Sequence, residues 1–341
     1  MRAWVRRRCG PPDSVMELDT LPTPPVPTGQ SPDVLIRVSH VSLQYSTEML
    51  IRMIPSMPFT GPWIPEIELS GEVVAAGAGA PSELRDPGTP VVAFQTMFSV
   101  IFMGHGTMAE YIRLSGSQVT RIDAAIDMAP ASGISGSGST ALKMIRTAGV
   151  RDGHTVLING ASGSVGSFLV QLCRLRGAKV VGVASGANEA MVRDLGVNEF
   201  IDYRSHDSLP AFLTHQYGGK PFDCILDCVG SQAIFVQSPA YLKPEGMVVN
   251  IGTLEGVGAT ARNVLFNRYL PTWLGGVPRQ YVMFNTKPTT DDAVYVARLV
   301  QEGHMRVPVD SVFDMQDAVR AYKRIATKRA RGKVVVKVRS D

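Results

Sequence analysis

The residues best suited to chemistry lie near the middle of the chain. There Thr155-Val156-Leu157-Ile158 runs into Asn159-Gly160-Ala161-Ser162-Gly163-Ser164-Val165-Gly166. The first four residues read as an apolar strand, and Val165 to Arg176 has helical periodicity and stops at Gly177. Small residues at such a turn let the backbone approach a pyrophosphate, towards which the helix N-terminus directs N–H groups and partial positive charge. A glycine triplet alone is weak evidence, but the strand before, the helix after and the repeating unit beyond supply the context the motif needs. The competing reading is a tight turn that binds nothing. Ala161, Ser162, Gly163, Ser164, Val165 and Gly166 are thus candidates to hold a dinucleotide.

The next strand, Val180 to Ala184, ends in Ser185-Gly186-Ala187-Asn188. A site selecting NAD would place an acid here for the ribose 2′-hydroxyl. The first acid is Glu189, already inside the following helix. An uncharged Ser185–Asn188 pair tolerates a 2′-phosphate, which points to NADPH, and Tyr203 beyond the third strand can add a hydroxyl. The alternative is that Ser185 and Asn188 simply cap the helix. Ile251 and Gly252 after the fifth strand, and Lys333 near the end, join the candidates for cofactor contact.

The elements that must position these groups fall into two rhythms. From Met1 to about 123, short strands such as Val34–Val38, Ser70–Val74 and Thr89–Phe94 are broken by Pro and Gly, which predicts a β-rich domain. From 124 to 287, apolar strands alternate with helices, which predicts a parallel sheet covered on both faces. Residues 288–341 carry two helical patterns and a final strand, Lys333–Val338, expected to return to the first domain.

Composition sets the outer bounds. A length of 341 residues suggests two domains, and 45% hydrophobic with 19% charged residues suits a globular enzyme. A net charge of +4 gives no reason to expect nucleic acid as a partner. Two basic clusters stand out. Arg6-Arg7-Arg8 reads as a solvated strand end, and the six Lys or Arg residues from Lys323 to Lys333 read as a helix end with its exit loop. Cys173 and Cys224 sit in apolar segments as buried thiols, and the Cys224–Cys228 spacing does not suit zinc. With no signal peptide and no apolar run long enough to span a bilayer, the expected place is the reducing cytoplasm.

Taken in order along the chain, these segments resemble the medium-chain dehydrogenase/reductase superfamily, in its zinc-independent quinone oxidoreductase-like and enoyl reductase branch. The likeness runs through Val34–Val38, Ser42-Leu43, Leu69-Ser70-Gly71-Glu72-Val73, Gly106 to Tyr111, the phosphate loop, Ile201-Asp202-Tyr203 and Arg331 to Val336. It implies an α/β protein: a GroES-like β-rich substrate domain plus a Rossmann doubly wound parallel-sheet domain. Zinc alcohol dehydrogenases of the superfamily carry Gly-His-Glu before the glycine matching Gly71. Here Glu66-Ile67-Glu68 stands there, the early Cys ligand is missing and so is the four-cysteine lobe. Catalytic zinc needs three protein ligands, so no metal is expected.

The chemistry this implies is hydride transfer from NADPH to an activated double bond or a quinone, with donors placed at a developing oxyanion. Ser42-Leu43-Gln44-Tyr45-Ser46 resembles the family's Ser-Leu-Asn-Pro run beside the nicotinamide, with Gln44 in place of Asn. Tyr45 is a candidate proton donor, Thr140 (of Ser139-Thr140) a candidate neighbour of the nicotinamide, and His105 a loop residue with a lesser claim to acid work. Tyr45 as packing and Ser139-Thr140 as a helix cap are the bland alternatives. Three hydrophobic stretches, Met49–Trp63, Met97–Met103 and Leu265–Phe284, fall where loops are expected. They suit either a pocket for a small apolar substrate or a dimer interface or peripheral membrane contact; the expected partners are a second copy, as a homodimer, or a synthase. The functions left open are an enone or enoyl reductase, a quinone reductase, and an idle NADPH-binding partner protein.

Overall fold

The computed structural model describes residues 1–55, 61–284 and 288–339. The chain divides into two units, Met1–Ser139 with Lys287–Asp341, and Thr140–Thr286. Residues 124–139 therefore go with the first unit, because the short helix Met128–Ala131 and the π-helical turn Ile134–Gly138 pack on its sheet.

In the first unit β1 (Arg2–Arg6) and β2 (Met16–Thr20) form an antiparallel pair. The larger sheet contains β3 (Asp33–Ser42), β4 (Glu68–Ala76), β5 (Pro90–Phe94), β6 (Tyr111–Ser115) and β7 (Val119–Arg121). β3 pairs antiparallel with both β4 and β6; Val34, Ile36 and Val38 are buried at period-two spacing, and Val41 is buried beyond a register shift between Val38 and His40. Helix Tyr45–Met53 follows β3 directly and buries Ile51.

The second unit holds β8 (Thr155–Asn159), β9 (Lys179–Ala184), β10 (Glu199–Asp202), β11 (Phe222–Asp227), β12 (Leu242–Asn250) and β13 (Gln280–Met283). They form one parallel sheet in the order β10-β9-β8-β11-β12-β13. The inner strands are buried almost throughout, so they read as unbroken apolar runs. Chain order reverses between β8 and β11, which makes that gap the topological switch point.

The chain then returns to the first unit with helices Thr290–Gln301 and Ala318–Ala326 and with β14 (Val309–Asp314) and β15 (Lys333–Lys337). β15 pairs antiparallel with β3, Val336 opposite Val41, so the sheet order is β14-β15-β3-β4-β5-β7.

Several local expectations change. Leu265–Phe284 is not loop: it holds the end of helix Val257–Tyr269, a single turn at Thr272–Leu274 and edge strand β13. Met97–Met103 contains a π-helical turn, Ser99–Met103, with Val100 buried and the Phe98 and Phe102 rings tilted against each other with centres 4.9 Å apart. Of Met49–Trp63, positions 56–60 lie outside the described residues, and Trp63 is buried. Arg6 is not solvated: its guanidinium lies fully buried 4.0 Å over the Trp63 ring and donates to the Ile54 carbonyl at 2.6 Å. That burial lowers its pKa to about 10. Cys173 and Cys224 are buried free thiols. Among the described residues no helix is long and apolar enough to cross a membrane.

Candidate functional site

The second unit shapes one half of the chemistry at the switch point. After β8 the chain turns through Gly160 at φ +83°, a conformation that favours glycine. The N–H groups of Gly160 and Ala161 donate to the Val183 carbonyl at 3.0 and 2.9 Å, which ties the loop to β9. Helix Ser164–Leu175 then begins with Gly163 at its cap. Gly166 lies so near the Gly160 carbonyl that any side chain would collide with it. The small residues therefore let the backbone turn this closely, and the helix start brings N–H groups and partial positive charge that suit an anion. A dinucleotide pyrophosphate fits this cradle.

The residues proposed for the 2′ end of the cofactor gather beside it. Asn188 Nδ2 donates to Ser162 Oγ at 2.8 Å, which links the end of β9 to the phosphate loop. Neither Ser185 nor Asn188 makes a side-chain capping bond, so helix capping does not account for their presence. Tyr203 is 44% exposed, and Arg204 Nε donates to its hydroxyl at 3.2 Å. The Asp202 carboxylate accepts from Arg204 N at 2.9 Å and from Ser205 Oγ at 3.2 Å, and also from the Gly186 backbone between Ser185 and Asn188. Those backbone and side-chain bonds hold its carboxyl below the ordinary aspartate range, with the Arg204 amide contributing most. Arg204 was not among the residues expected here.

At the carboxyl ends of β8, β11 and β12 stand Asn159, Asp227 and Asn250. Asn159 Nδ2 donates to Asp227 Oδ1 at 2.8 Å, and the N–H groups of Val229, Gly230 and Ser231 close on the same carboxylate. Burial raises the Asp227 pKa even so. Gly252 lies against the Val229–Gly230 backbone, where a side chain would not fit, and Ile251 N donates to the Asp227 carbonyl at 3.0 Å. Thr140 opens the second unit in helix Ser139–Thr147, beside Ser139, whose buried hydroxyl has no partner.

The first unit contains a network that sequence reading missed. Glu68 of β4 is fully buried and accepts at both oxygens. Gly136 N and Ser137 N donate to Oε2 at 2.8 and 3.0 Å. Oε1 takes Lys333 Nζ and Gln44 Nε2 in short contacts, and Ser137 Oγ at 3.2 Å. Lys333 also donates to Ser137 Oγ at 3.0 Å, and its methylene stem lies along Gly133. The π-helical turn Ile134–Gly138 brings these donors to Glu68, and such turns recur at functional sites. A side chain at Gly136 would collide with the Glu68 carboxylate. Lys333, expected near a phosphate, thus has its ammonium engaged inside the first unit.

Glu66 stands on the other side of Gln44. It adopts φ +71°, in the left-handed region that a residue with a Cβ rarely enters, and it is fully buried. Its carboxyl accepts from Gln44 N at 3.0 Å and from Tyr322 Oη at 2.7 Å. Burial pushes its pKa up to about 8, against the lowering effects of Tyr322, the Gln44 amide and Lys333. Tyr45, next to Gln44, packs partly into the core with Lys328 Nζ 5.2 Å from its ring centre. His105 is exposed. The signals that could have found Glu66 and its neighbours were its occupation of a glycine position of the resembling family and the small-residue run Gly133–Gly138. Ile67, between the two acids, is buried in the apolar core.

A cavity of about 310 Å³ in the first unit is lined by Phe94, Thr96, Gln118, Ser135, Thr290 and Ala293 among others. None of its lining comes from the three apolar stretches.

Known proteins place these features in context. Residues 30–124 match a family model described as an alcohol dehydrogenase GroES-like domain, and residues 195–336 match one described as a zinc-binding dehydrogenase. The chain is 43% identical to the medium chain reductase pydE of an Acremonium species over 99% of both chains. It is 32% identical to the trans-enoyl reductase poxH of Penicillium oxalicum, covering 100% of this chain and 98% of that one. The solved structure of the quinone oxidoreductase from Coxiella burnetii superposes with a TM-score of 0.82 at 26% identity over 99% of both chains.

Proposed function

The chain belongs to the medium-chain dehydrogenase/reductase superfamily, and from that premise we propose that it is a zinc-independent, NADPH-dependent reductase of apolar α,β-unsaturated carbonyl compounds. The observation that carries this reading is its whole-length likeness to proteins named medium chain reductase and trans-enoyl reductase. Ile67 supports the zinc-free part, because an apolar core residue occupies the position of a histidine ligand in the zinc enzymes.

When bound, the reduced nicotinamide supplies a hydride, which adds to the β-carbon of the acceptor while the α-carbon takes a proton. The phosphate loop holds the pyrophosphate through the helix N-terminus. Ser185, Asn188 and Tyr203, with Arg204, receive the 2′-phosphate in this reading, beside an Asp202 carboxylate that already accepts from the Gly186, Arg204 and Ser205 groups. Tyr45 is the proton donor in this reading. Holding donor and acceptor in line supplies roughly 7 kcal/mol or more of the acceleration.

A quinone reductase is the second reading, favoured by the structural match to the quinone oxidoreductase. Titration of NADPH by fluorescence, followed by its oxidation with an enone panel and a quinone panel, separates the cases. Turnover of enones above quinones is expected. Preference for quinones reverses the assignment, binding without turnover identifies an idle partner protein, and absence of NADPH binding removes the reading altogether.

A further inference from the structure

The cavity of about 310 Å³ in the first unit is unlike the apolar pockets that usually take ligands. Its walls come from the end of β5, from β7 and the turn before it, from the π-helical turn Ile134–Gly138 and from the start of helix Thr290–Gln301. Hydroxyls and one amide dominate them, and the described lining residues carry no charge. Gln118 Nε2 donates to the Phe94 carbonyl at 3.0 Å and to Gln95 Oε1 at 3.2 Å, which leaves Oε1 of Gln118 as an acceptor. Ser135 Oγ donates to the Ala93 carbonyl at 2.8 Å and keeps its lone pairs. Thr96 Oγ1 accepts from Ser99 N at 3.1 Å and keeps its proton. Thr120, only 4% exposed, and Thr290 form no side-chain hydrogen bond with any described residue. A polar side chain buried as far as Thr120 normally has a partner, and Thr120 is a wall of the cavity.

We propose that this cavity binds a neutral, hydroxyl-rich small molecule, a polyol of the size of a cyclitol or a monosaccharide. A hydroxyl both donates and accepts. That matches walls offering a bare acceptor at Gln118, a free proton at Thr96 and complete hydroxyls at Thr120 and Thr290. An anion finds no cation among the described walls, and Asp291 and Asp292 in the first turn of the helix offset its positive end. A cation finds no carboxylate among the same walls. An apolar ligand would strip water from these groups without replacing its hydrogen bonds. Phe94 supplies an apolar wall for the C–H face of a ring. Ser135 belongs to the turn that gives the Gly136 and Ser137 N–H groups to Glu68, so an occupant ties that turn to β7 and to the helix. The site lies wholly within the first unit and does not depend on the reductase reading.

The test is titration of the full chain with myo-inositol, D-glucose and glycerol, followed by saturation-transfer NMR, with gluconate and protonated glucosamine as charged counterparts. At least one neutral polyol is expected to bind saturably, and both charged counterparts to bind about tenfold or more weakly. Polyols excluded from a protein surface raise stability without saturating, so saturation separates binding from that effect. Thr120→Val keeps the shape of the side chain and removes its hydroxyl, so the dissociation constant should rise about three- to tenfold. Thr290→Leu, which removes the second free hydroxyl and adds bulk, should weaken binding in the same direction. If Thr120→Val does not fold, Thr290→Leu decides. Absence of saturable binding by all three polyols overturns the proposal. So does binding that both variants leave unchanged, or binding of gluconate or glucosamine as tight as that of the polyols.

Discussion

Lys333 and Glu68, 265 residues apart in sequence, form an ion pair in which the two side chains are 1% and 0% exposed. A buried pair of this kind is not in itself a large source of stability, because desolvation offsets much of the attraction. Its value here is order: it joins the last strand, β4, the π-helical turn and Gln44 into one hydrogen-bonded unit.

Lys333→Met leaves the Glu68 charge buried and uncompensated, so it is expected to destabilise the first unit by about 3–5 kcal/mol. The double variant Lys333→Met with Glu68→Leu removes that charge and should recover part of the loss. Denaturant unfolding followed by fluorescence measures both. A single-variant loss below about 1 kcal/mol would mean that the pair behaves like a surface bridge.

Glu66 predicts a pH dependence of stability with a definite sign. Its folded pKa, about 8, lies above the ordinary 4.5, so the folded protein binds more protons than the unfolded chain between those values. Stability contributed by this group is therefore full below pH 4.5 and declines as pH rises towards 8. The charged and titratable groups that face it are Tyr322, Lys333 and, beyond Tyr322, Glu48. Glu66→Gln should flatten this decline, seen as a stability difference from wild type that shifts in favour of the variant across that range. Parallel curves for the two proteins would refute the assignment.

Ser185→Asp places a carboxylate where the 2′-phosphate is expected. The ratio of kcat/KM for NADPH over NADH should fall by about tenfold or more, equivalent to roughly 1.4 kcal/mol. An unchanged ratio would move the phosphate site away from Ser185.

Tyr45→Phe removes the proposed proton donor while keeping the ring in its place beside Lys328. A fall in kcat of about a hundredfold is expected, with NADPH affinity unchanged. If kcat holds, the proton comes from elsewhere.

What the sequence made legible follows from the range of each interaction. The strand, turn and helix around Gly160–Gly166 lie within about twenty residues, so spacing and residue size disclose them. The same holds for the inner strands β8, β9 and β11, whose burial on both faces writes an unbroken apolar run. Lys333 reads as a candidate for cofactor contact in a helix-exit loop because its partner Glu68 lies far away in sequence and local composition carries no trace of it. Arg6 was hidden in the same way, since only the fold brings Trp63 under its guanidinium. Glu66 stands where the resembling zinc enzymes carry glycine, a hint whose meaning the φ of +71° makes plain. Leu265–Phe284 looked like an apolar loop because β13 is a short strand at the sheet edge, where half-burial leaves little pattern.

The pairing of β15 with β3 also sets an order of events during synthesis. The second unit is continuous in sequence and can fold once residue 286 has left the ribosome. The first unit, although it begins at the N-terminus, must wait for the final strand, and until then Glu68 lacks its cation. A nascent chain that stops short of Lys333 would carry a complete nucleotide-binding unit beside an unfinished partner with an exposed strand edge, a form suited to recognition by chaperones and proteases.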